Sequence, residues 1–295
     1  MGKKYFSEIV ILTKSLYADE LICWLEWHIN IMGVDHIVIY DNESPIDILS
    51  IVSKFPQGKI EYHFIQGWPD QYTLYNSHLK ETESQWVLPL DDDEFLYLSN
   101  KYENINTFIS TLSQHYNRDM FYILWVSLLS GYKIQEHTDL FINTHTFYSF
   151  NACRKISGSW SRDSDWGKCL INTSHNYEYK SGSKTTGHIP QCVDNPKITP
   201  VLVNGNGTNI INPLSIQTGH LYYRKDERVL DTDCFIAHYH YRTKNDWIRK
   251  CKSWDVSSLH IDLHDKVYIY DKIYEYRSEF LPCVLLKDRW KSYKE

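Results

Sequence analysis

Residues 88–98 read LPLDDDEFLYL and set four consecutive acids, Asp91, Asp92, Asp93 and Glu94, between two apolar runs. Neighbouring like charges disfavour each other's ionised form, so an unbroken acid cluster calls for something that neutralises it. The residues just before it, WVLPL (86–90), have the length and composition of a buried strand. The acids therefore stand where a strand leaves the interior.

Upstream, strands and helices alternate. SEIVILTKS (7–15) reads as a strand, and YADELICWLEWHINIMG (17–33) as a helix with Leu21, Trp24, Leu25, His28, Ile29 and Met32 at helical spacing and a closing Gly33. HIVIYDN (36–42) is a second strand, IDILSIVSKF (46–55) a helix, KIEYHFI (59–65) a third strand and DQYTLYNSHLKETES (70–84) another helix. Strand–helix alternation with short connections predicts an α/β fold with a parallel sheet covered on both faces. Ligands of such sheets bind at the carboxyl ends of the strands. Two polar strand ends, Asp41-Asn42 and Asp91–Glu94, are expected on that one edge.

Downstream the pattern is less regular. MFYILWVSLL (120–129) is a strong strand, and residues 130–215 carry many turn formers, among them VLVNGNGTNIINP (201–213). IQTGHLYYR (216–224) and FIAHYHYR (235–242) read as strands, TKNDWIRKCKSW (243–254) as a helix, and the tail from about Val267 as aromatic, charged and helical.

Composition narrows the function. A net charge of −6 argues against a general nucleic-acid binder. Seven scattered cysteines without a CxxC pair fit reduced thiols, not a disulfide framework or a zinc knuckle. The N-terminal apolar run is short and holds Glu8, so no signal peptide is expected, and no stretch approaches about 18 uninterrupted apolar residues. Ten Trp and 23 Tyr offer flat faces on which sugar rings stack, although most such residues serve as core.

An Asp-x-Asp pair just past a buried strand presents two carboxylates to a hard divalent cation, Mg²⁺ or Mn²⁺, which retains open positions for phosphate oxygens. The pattern also occurs at Asp163/Asp165 and Asp231/Asp233, so context is what singles out Asp91 and Asp93. The same acids would also suit a solvated turn or a helix N-cap. No P-loop, EF-hand or GxSxG elbow is present. His238 and His240 alternate with Tyr239 and Tyr241 and are expected on one side of a strand, either as ligands or as ordinary hydrogen-bonding residues.

In order along the chain, Glu26-Trp27-His28, GVDHIVIYDNES (33–44), Gln71…Tyr75-Asn76 and WVLPLDDDEFL (86–96) resemble the glycosyltransferases of family 92 and the related family-2-like bacterial enzymes. ILWVSLLSGY (123–132), GKCLINTS (167–174) and HYRTKNDWIRK (240–250) are similar to later segments of that group, whereas the Arg-Asn-Glu that follows its first strand is replaced here by TKSLYADE. The resemblance implies a GT-A-like, Rossmann-like α/β fold with a central, mostly parallel sheet flanked by helices and a C-terminal helical extension. It implies one domain over 1–255, with a nucleotide-sugar half of about 1–100 and an acceptor half of about 101–255, and an extension over 256–295 packed on it.

The resemblance further implies a metal-dependent transfer of a sugar from a nucleotide-sugar donor, UDP-linked by preference, to a glycan or glycoconjugate hydroxyl. Asp91 and Asp93 would hold Mn²⁺ or Mg²⁺, joined by His240 or His238. Asp41 and Asn42 would lie near the nucleoside, and Lys168 and Asp92 near the diphosphate. An inverting transfer, the expected one, needs a base, for which Asp163 and Asp165 between Trp160 and Trp166 are the candidates. The competing readings are a carbohydrate-binding protein without activity, and a metal-dependent nucleotidyltransferase or sugar-phosphate hydrolase. The expected location is cytoplasmic, free or peripheral at a membrane surface.

Overall fold

The computed structural model describes residues 2–67, 70–149, 167–180, 188–203, 209–210, 232–254 and 270–295. Through the acid cluster the elements are β1 (Tyr5–Thr13), α1 (Ala18–Glu26), β2 (His36–Asp41), α2 (Ile48–Val52), β3 (Ile60–Phe64), α3 (Gln71–Glu81), β4 (Ser84–Leu90) and β5 (Glu94–Leu98). Then come α4 (Ile105–Tyr116), β6 (Met120–Leu129), α5 (Phe141–Thr144), β7 (Phe147–Tyr148), β8 (Gly167–Asn172), β9 (Tyr177–Glu178) and β10 (Gln191–Cys192). The rest are β11 (Val201–Val203), β12 (Asn209–Ile210), β13 (Cys234–His238), α6 (Lys244–Trp254), β14 (Leu281–Pro282) and α7 (Leu285–Lys294).

The main sheet runs β12-β11-β6-β8-β4-β1-β2-β3. Strands β3, β2, β1 and β4 are mutually parallel, as the alternation predicts, and β11 is parallel to β6. Between β4 and β6 lies β8, antiparallel to both. Any side chain at Gly167 would collide with the carbonyl oxygen of Ile123, so only glycine lets β8 start this close to β6. Ile9, Val10 and Ile11 of β1 and Val87 and Leu88 of β4 are fully buried, as both-face coverage requires.

Short polar residues start the helices. Asp47, Asp70 and Asn104 accept from the backbone amides of Ser50, Thr73 and Thr107, at the N-termini of α2, α3 and α4. The helix expected over 17–33 is α-helical only to Glu26, after which Trp27–Ile31 forms a π-helical turn. Gly33, at φ +69°, closes it, and a Cβ there would come within 2.9 Å of the Asn104 Cβ.

The chain divides into two compact units, Met1–Leu124 with Asp165–Ile236, and Trp125–Ser164 with Ala237–Glu295. The expected boundary at 255/256 lies outside the described residues, as does the whole strand expected over 216–224. In the second unit β7 pairs with the end of β6 and with β14. Its core gathers Leu129, Tyr241, Trp247, Tyr270, Ile273 and Tyr274. Thr243 caps α6 by accepting from the Asp246 amide (3.0 Å) while its hydroxyl donates to the Asp246 carboxylate (2.7 Å). The strand expected over 235–242 ends at His238.

Candidate functional site

The pairings Thr13↔Asp41 and Ile11↔Leu90 align the carboxyl ends of β1, β2 and β4, so Asp41 and the Asp91–Glu94 turn emerge on one edge of the sheet. A hydrogen-bond chain runs along it. Asp41 Oδ1 accepts from the Ser44 amide (2.9 Å) and Oδ2 from the Tyr62 hydroxyl (2.9 Å). Ser44 Oγ accepts from the Ser15 amide (2.9 Å), and Ser15 Oγ donates to Asp92 Oδ2 (2.9 Å). Thr13 Oγ1 and Ser15 Oγ lie 2.8 Å apart. Asn42 donates its side-chain amide to the Gly67 carbonyl and its backbone amide to that of Thr13.

The acid turn is closed by its own ends: the Asp91 amide donates to Glu94 Oε2 (2.9 Å) and the Glu94 amide to the Asp91 carbonyl (3.1 Å). Side chains from the first helical segment then hold β5. Trp24 Nε1 donates to the Glu94 carbonyl (2.8 Å), Trp27 Nε1 to the Leu96 carbonyl (2.7 Å), and the Leu96 amide to His28 Nε2 (3.2 Å). With Nε2 accepting, His28 Nδ1 carries the proton it donates to the Trp24 carbonyl. Burial keeps this imidazole neutral, its pKa lowered to about 3.

The countercharge comes from β8. Lys168 Nζ is 3.0 Å from Asp91 Oδ2 and 3.4 Å from Glu94 Oε2, and the lysine side chain is only 5% exposed. Burial works against its ammonium, yet Asp91 and Glu94 outweigh that and hold its pKa above that of an ordinary lysine. Glu94 is pushed the other way. Burial raises its carboxyl well above the usual carboxylate range against the pull of Lys168, and Asp91 and Asp93 add to the rise. Glu94 Oε1 is buried with no hydrogen-bond partner among the described residues. From α3, Gln71 Nε2 donates to Asp91 Oδ1 (3.2 Å) and to the Tyr75 hydroxyl (3.0 Å).

The structure thus brings Asp41, Asn42, Asp91, Asp92, Asp93 and Lys168 to one end of the first unit, with Asp91 and Asp92 half-exposed and Asp93 buried. His238 and His240 belong to the second unit. Their rings meet edge to face at 4.8 Å, His238 lies against Trp125 and His240 against Trp247, and His240 stands beyond the strand's end. Asp163 and Asp165 lie outside the described residues. Ser15 and Tyr62 carry no motif, Ser44 falls at the end of the resembling stretch 33–44 without being singled out by it, and the orphaned oxygen of Glu94 leaves no trace in the sequence. The resemblance did pick out Gln71 and Tyr75.

No family model matches the chain, and no curated protein does. Solved structures similar to it include S. aureus TarS 1-349, at 12% identity over 91% of this chain and 70% of that one, with a TM-score of 0.36. HddC from Yersinia pseudotuberculosis is similar at 12% identity over 67% of this chain and 88% of that one, also at 0.36. The 4-diphosphocytidyl-2C-methyl-D-erythritol synthase of Anaerococcus prevotii follows at 13% identity over 58% and 71%, with 0.30. Of a longer TarS structure the chain spans 32%.

Proposed function

We propose that the protein is a metal-dependent glycosyltransferase that takes a sugar from a nucleotide-sugar donor, a UDP-sugar by preference, and passes it to a glycan or glycoconjugate hydroxyl. The observation that carries this reading is the Asp91–Glu94 turn at the carboxyl ends of the parallel strands, with the buried Lys168 ammonium against Asp91. Carboxylates and a fixed cation at a sheet's ligand-binding edge suit a diphosphate held through a hard metal ion.

The donor set fits such a metal. It is made of carboxylate oxygens on a closed turn, where the half-exposed Asp91 and Asp92 lead into the buried Asp93. Asp91 and Asp93 would hold Mn²⁺ or Mg²⁺. When bound, the metal would neutralise charge on the departing nucleoside diphosphate. Lys168 adds a positive charge that Asp91 and Glu94 favour against burial, and Gln71 keeps Asp91 oriented. Asp41 and Asn42 shape the neighbouring strand end for the nucleoside. An inverting transfer would use Asp165 or Asp163 to take the acceptor proton. No described helix is long and apolar enough to cross a membrane.

Calorimetric titration of UDP and GDP, with and without Mn²⁺, tests this in wild type and in Asp93→Asn and Asp91→Asn. Metal-dependent binding of one nucleotide, weakened at least about 100-fold in the Asp93 variant, is expected, since losing a metal ligand costs more than the roughly 10–100-fold typical of the residues that orient one. If well-folded wild type binds no nucleotide, the transferase reading fails, and glycan binding without nucleotide would replace it.

A further inference from the structure

Away from the acid turn, the β9/β10 ribbon of the first unit gathers a second set of donor groups. Cys192 pairs with Tyr177 in the antiparallel register of β9 and β10. Beyond the ladder the Val193 amide donates to the Asn176 carbonyl (2.7 Å), and His175 and Asp194 follow on the two sides of that bond. β10 ends at Cys192, and the bend beyond it turns the Asp194 carboxylate back onto the Cys192 thiol. One donor atom each from His175, Cys192 and Asp194 lies within 4.8 Å of the others.

The individual contacts are close. Cys192 Sγ is 3.0 Å from Asp194 Oδ1, and His175 Nδ1 is 3.5 Å from Asp194 Oδ2. The far nitrogen of the ring, Nε2, stands 3.6 Å from Asp119 Oδ2. A carboxylate behind a histidine is the arrangement that fixes ring orientation in metal sites, where it also raises the basicity of the coordinating nitrogen. Asp119 just precedes β6, and its carboxylate also accepts from Asn172 Nδ2 (3.0 Å), so it is anchored independently of the ribbon.

We propose that His175 Nδ1, Cys192 Sγ and an Asp194 carboxylate oxygen form a binding site for a borderline-soft divalent metal, zinc above all, with Asp119 as the residue that positions His175. One nitrogen, one sulfur and one oxygen make a donor set suited to Zn²⁺ and unlike the all-oxygen set of the acid turn. Cys192 is buried and its thiol donates to Asp194, so it is not placed as an exposed nucleophile. On metal binding the S–H bond gives way to a sulfur–metal bond, and the proton leaves to solvent. His175 and Asp194 are partly open, which leaves room for water as a fourth ligand.

The site has a structural consequence for its surroundings. Just past β9, Tyr179 is fastened to α3 by two hydrogen bonds with the Asn76 amide, at 2.9 and 2.6 Å, and its ring stacks near Tyr72. A metal that pins the ribbon therefore steadies the wall against the helix that orients Asp91.

Co²⁺ titrated into the full chain is the test, because a cobalt–thiolate bond produces a near-ultraviolet charge-transfer band that an all-oxygen site lacks. Wild type should show this band, saturating at one equivalent and displaced by Zn²⁺. Cys192→Ser should abolish it, and Asp119→Asn should keep it while weakening Co²⁺ binding roughly 10–100-fold. Asp93→Asn should leave it unchanged, which separates this site from the nucleotide reading. Absence of the band in folded wild type overturns the proposal, as does its persistence in Cys192→Ser. If that variant does not fold, His175→Gln and Asp194→Asn carry the same test, and a band unaltered in both overturns it equally.

Discussion

Two glutamates are almost wholly buried in the same unit, Glu8 in β1 and Glu94 at the start of β5, and they have opposite fates. Glu8 accepts from His36 Nδ1 (2.8 Å), His78 Nε2 (2.6 Å), Thr82 Oγ1 (2.9 Å) and Ser84 Oγ (2.8 Å). Burial works against its charge, but the bonds from His36, His78 and Ser84 prevail and bring its pKa down to about 2. Glu94 has Lys168 and one backbone amide on one oxygen, no hydrogen bond on the other among the described residues, and two carboxylates beside it, so burial prevails and its pKa is pushed up. Depth is the same in both places. The count of donors and the sign of neighbouring charges decide the outcome, and the under-satisfied carboxyl is the one beside the proposed ligand site.

The largest expected effect is at Glu8. An amide in its place offers one acceptor oxygen and turns an NH₂ toward donors, so Glu8→Gln should cost about 3 kcal/mol in urea unfolding at neutral pH. The pH profile gives the same number another way. A carboxylate whose pKa falls on folding from 4.5 to about 2 contributes stability that is complete above the unfolded value and lost as pH falls through the folded one. That loss should amount to about 3 kcal/mol in wild type and be missing from Glu8→Gln. The variant should keep the separate acid sensitivity of His28, whose neutral form is retained from 6.5 down to about 3. An unchanged acid limb in Glu8→Gln would break the comparison.

Next in size is Lys168→Met, which leaves the acid turn without its cation. Asp91 is 35% exposed and can recover water, and Glu94 can take up a proton. The expected cost is therefore about 2 kcal/mol, less than for a fully enclosed ion pair. Metal-dependent nucleotide binding should weaken as well.

The smallest effect belongs to Glu94→Gln, the same chemical change as at Glu8. Burial and the neighbouring Asp91 and Asp93 carboxylates already disfavour the charge at this position, so an amide should alter stability by less than about 1 kcal/mol. The sign of its pH dependence is reversed. A carboxyl whose pKa rises on folding loses stability as pH climbs from the unfolded value toward the folded one. In chelator, wild type should decline over that window relative to Glu94→Gln. A large cost in this variant at neutral pH would mean that Glu94 is ionised and sustained by Lys168.

How far the chain could be read without coordinates follows the range of the interactions. β1 through β4 and α1 through α3 were visible because periods of two and 3.6 are local. α4 was passed over although its cap, Asn104, and its buried Ile105, Phe108, Ile109 and Leu112 lie in plain order. The acid turn was visible as a strand end. Its cation was pointed to through resemblance alone, since Lys168 meets Asp91 across 77 residues and from an antiparallel strand that no alternation announces. Ser15, equally far from Asp92, carried no signal at all. CxxC spacing is a local signal, whereas the His175, Cys192 and Asp194 trio forms only where the β9/β10 ribbon brings separate segments together.

The sequence by itself determined the α/β alternation, the buried parallel strands and the place where four acids leave the interior, because side-chain periodicity and charge are properties of neighbours. Which carboxylate stays charged, which amine answers it and which histidine faces which thiol were decided only when the sheet formed. Strand order and register bring together groups that the chain keeps dozens of residues apart, and in a low-dielectric interior those few contacts govern every ionisation.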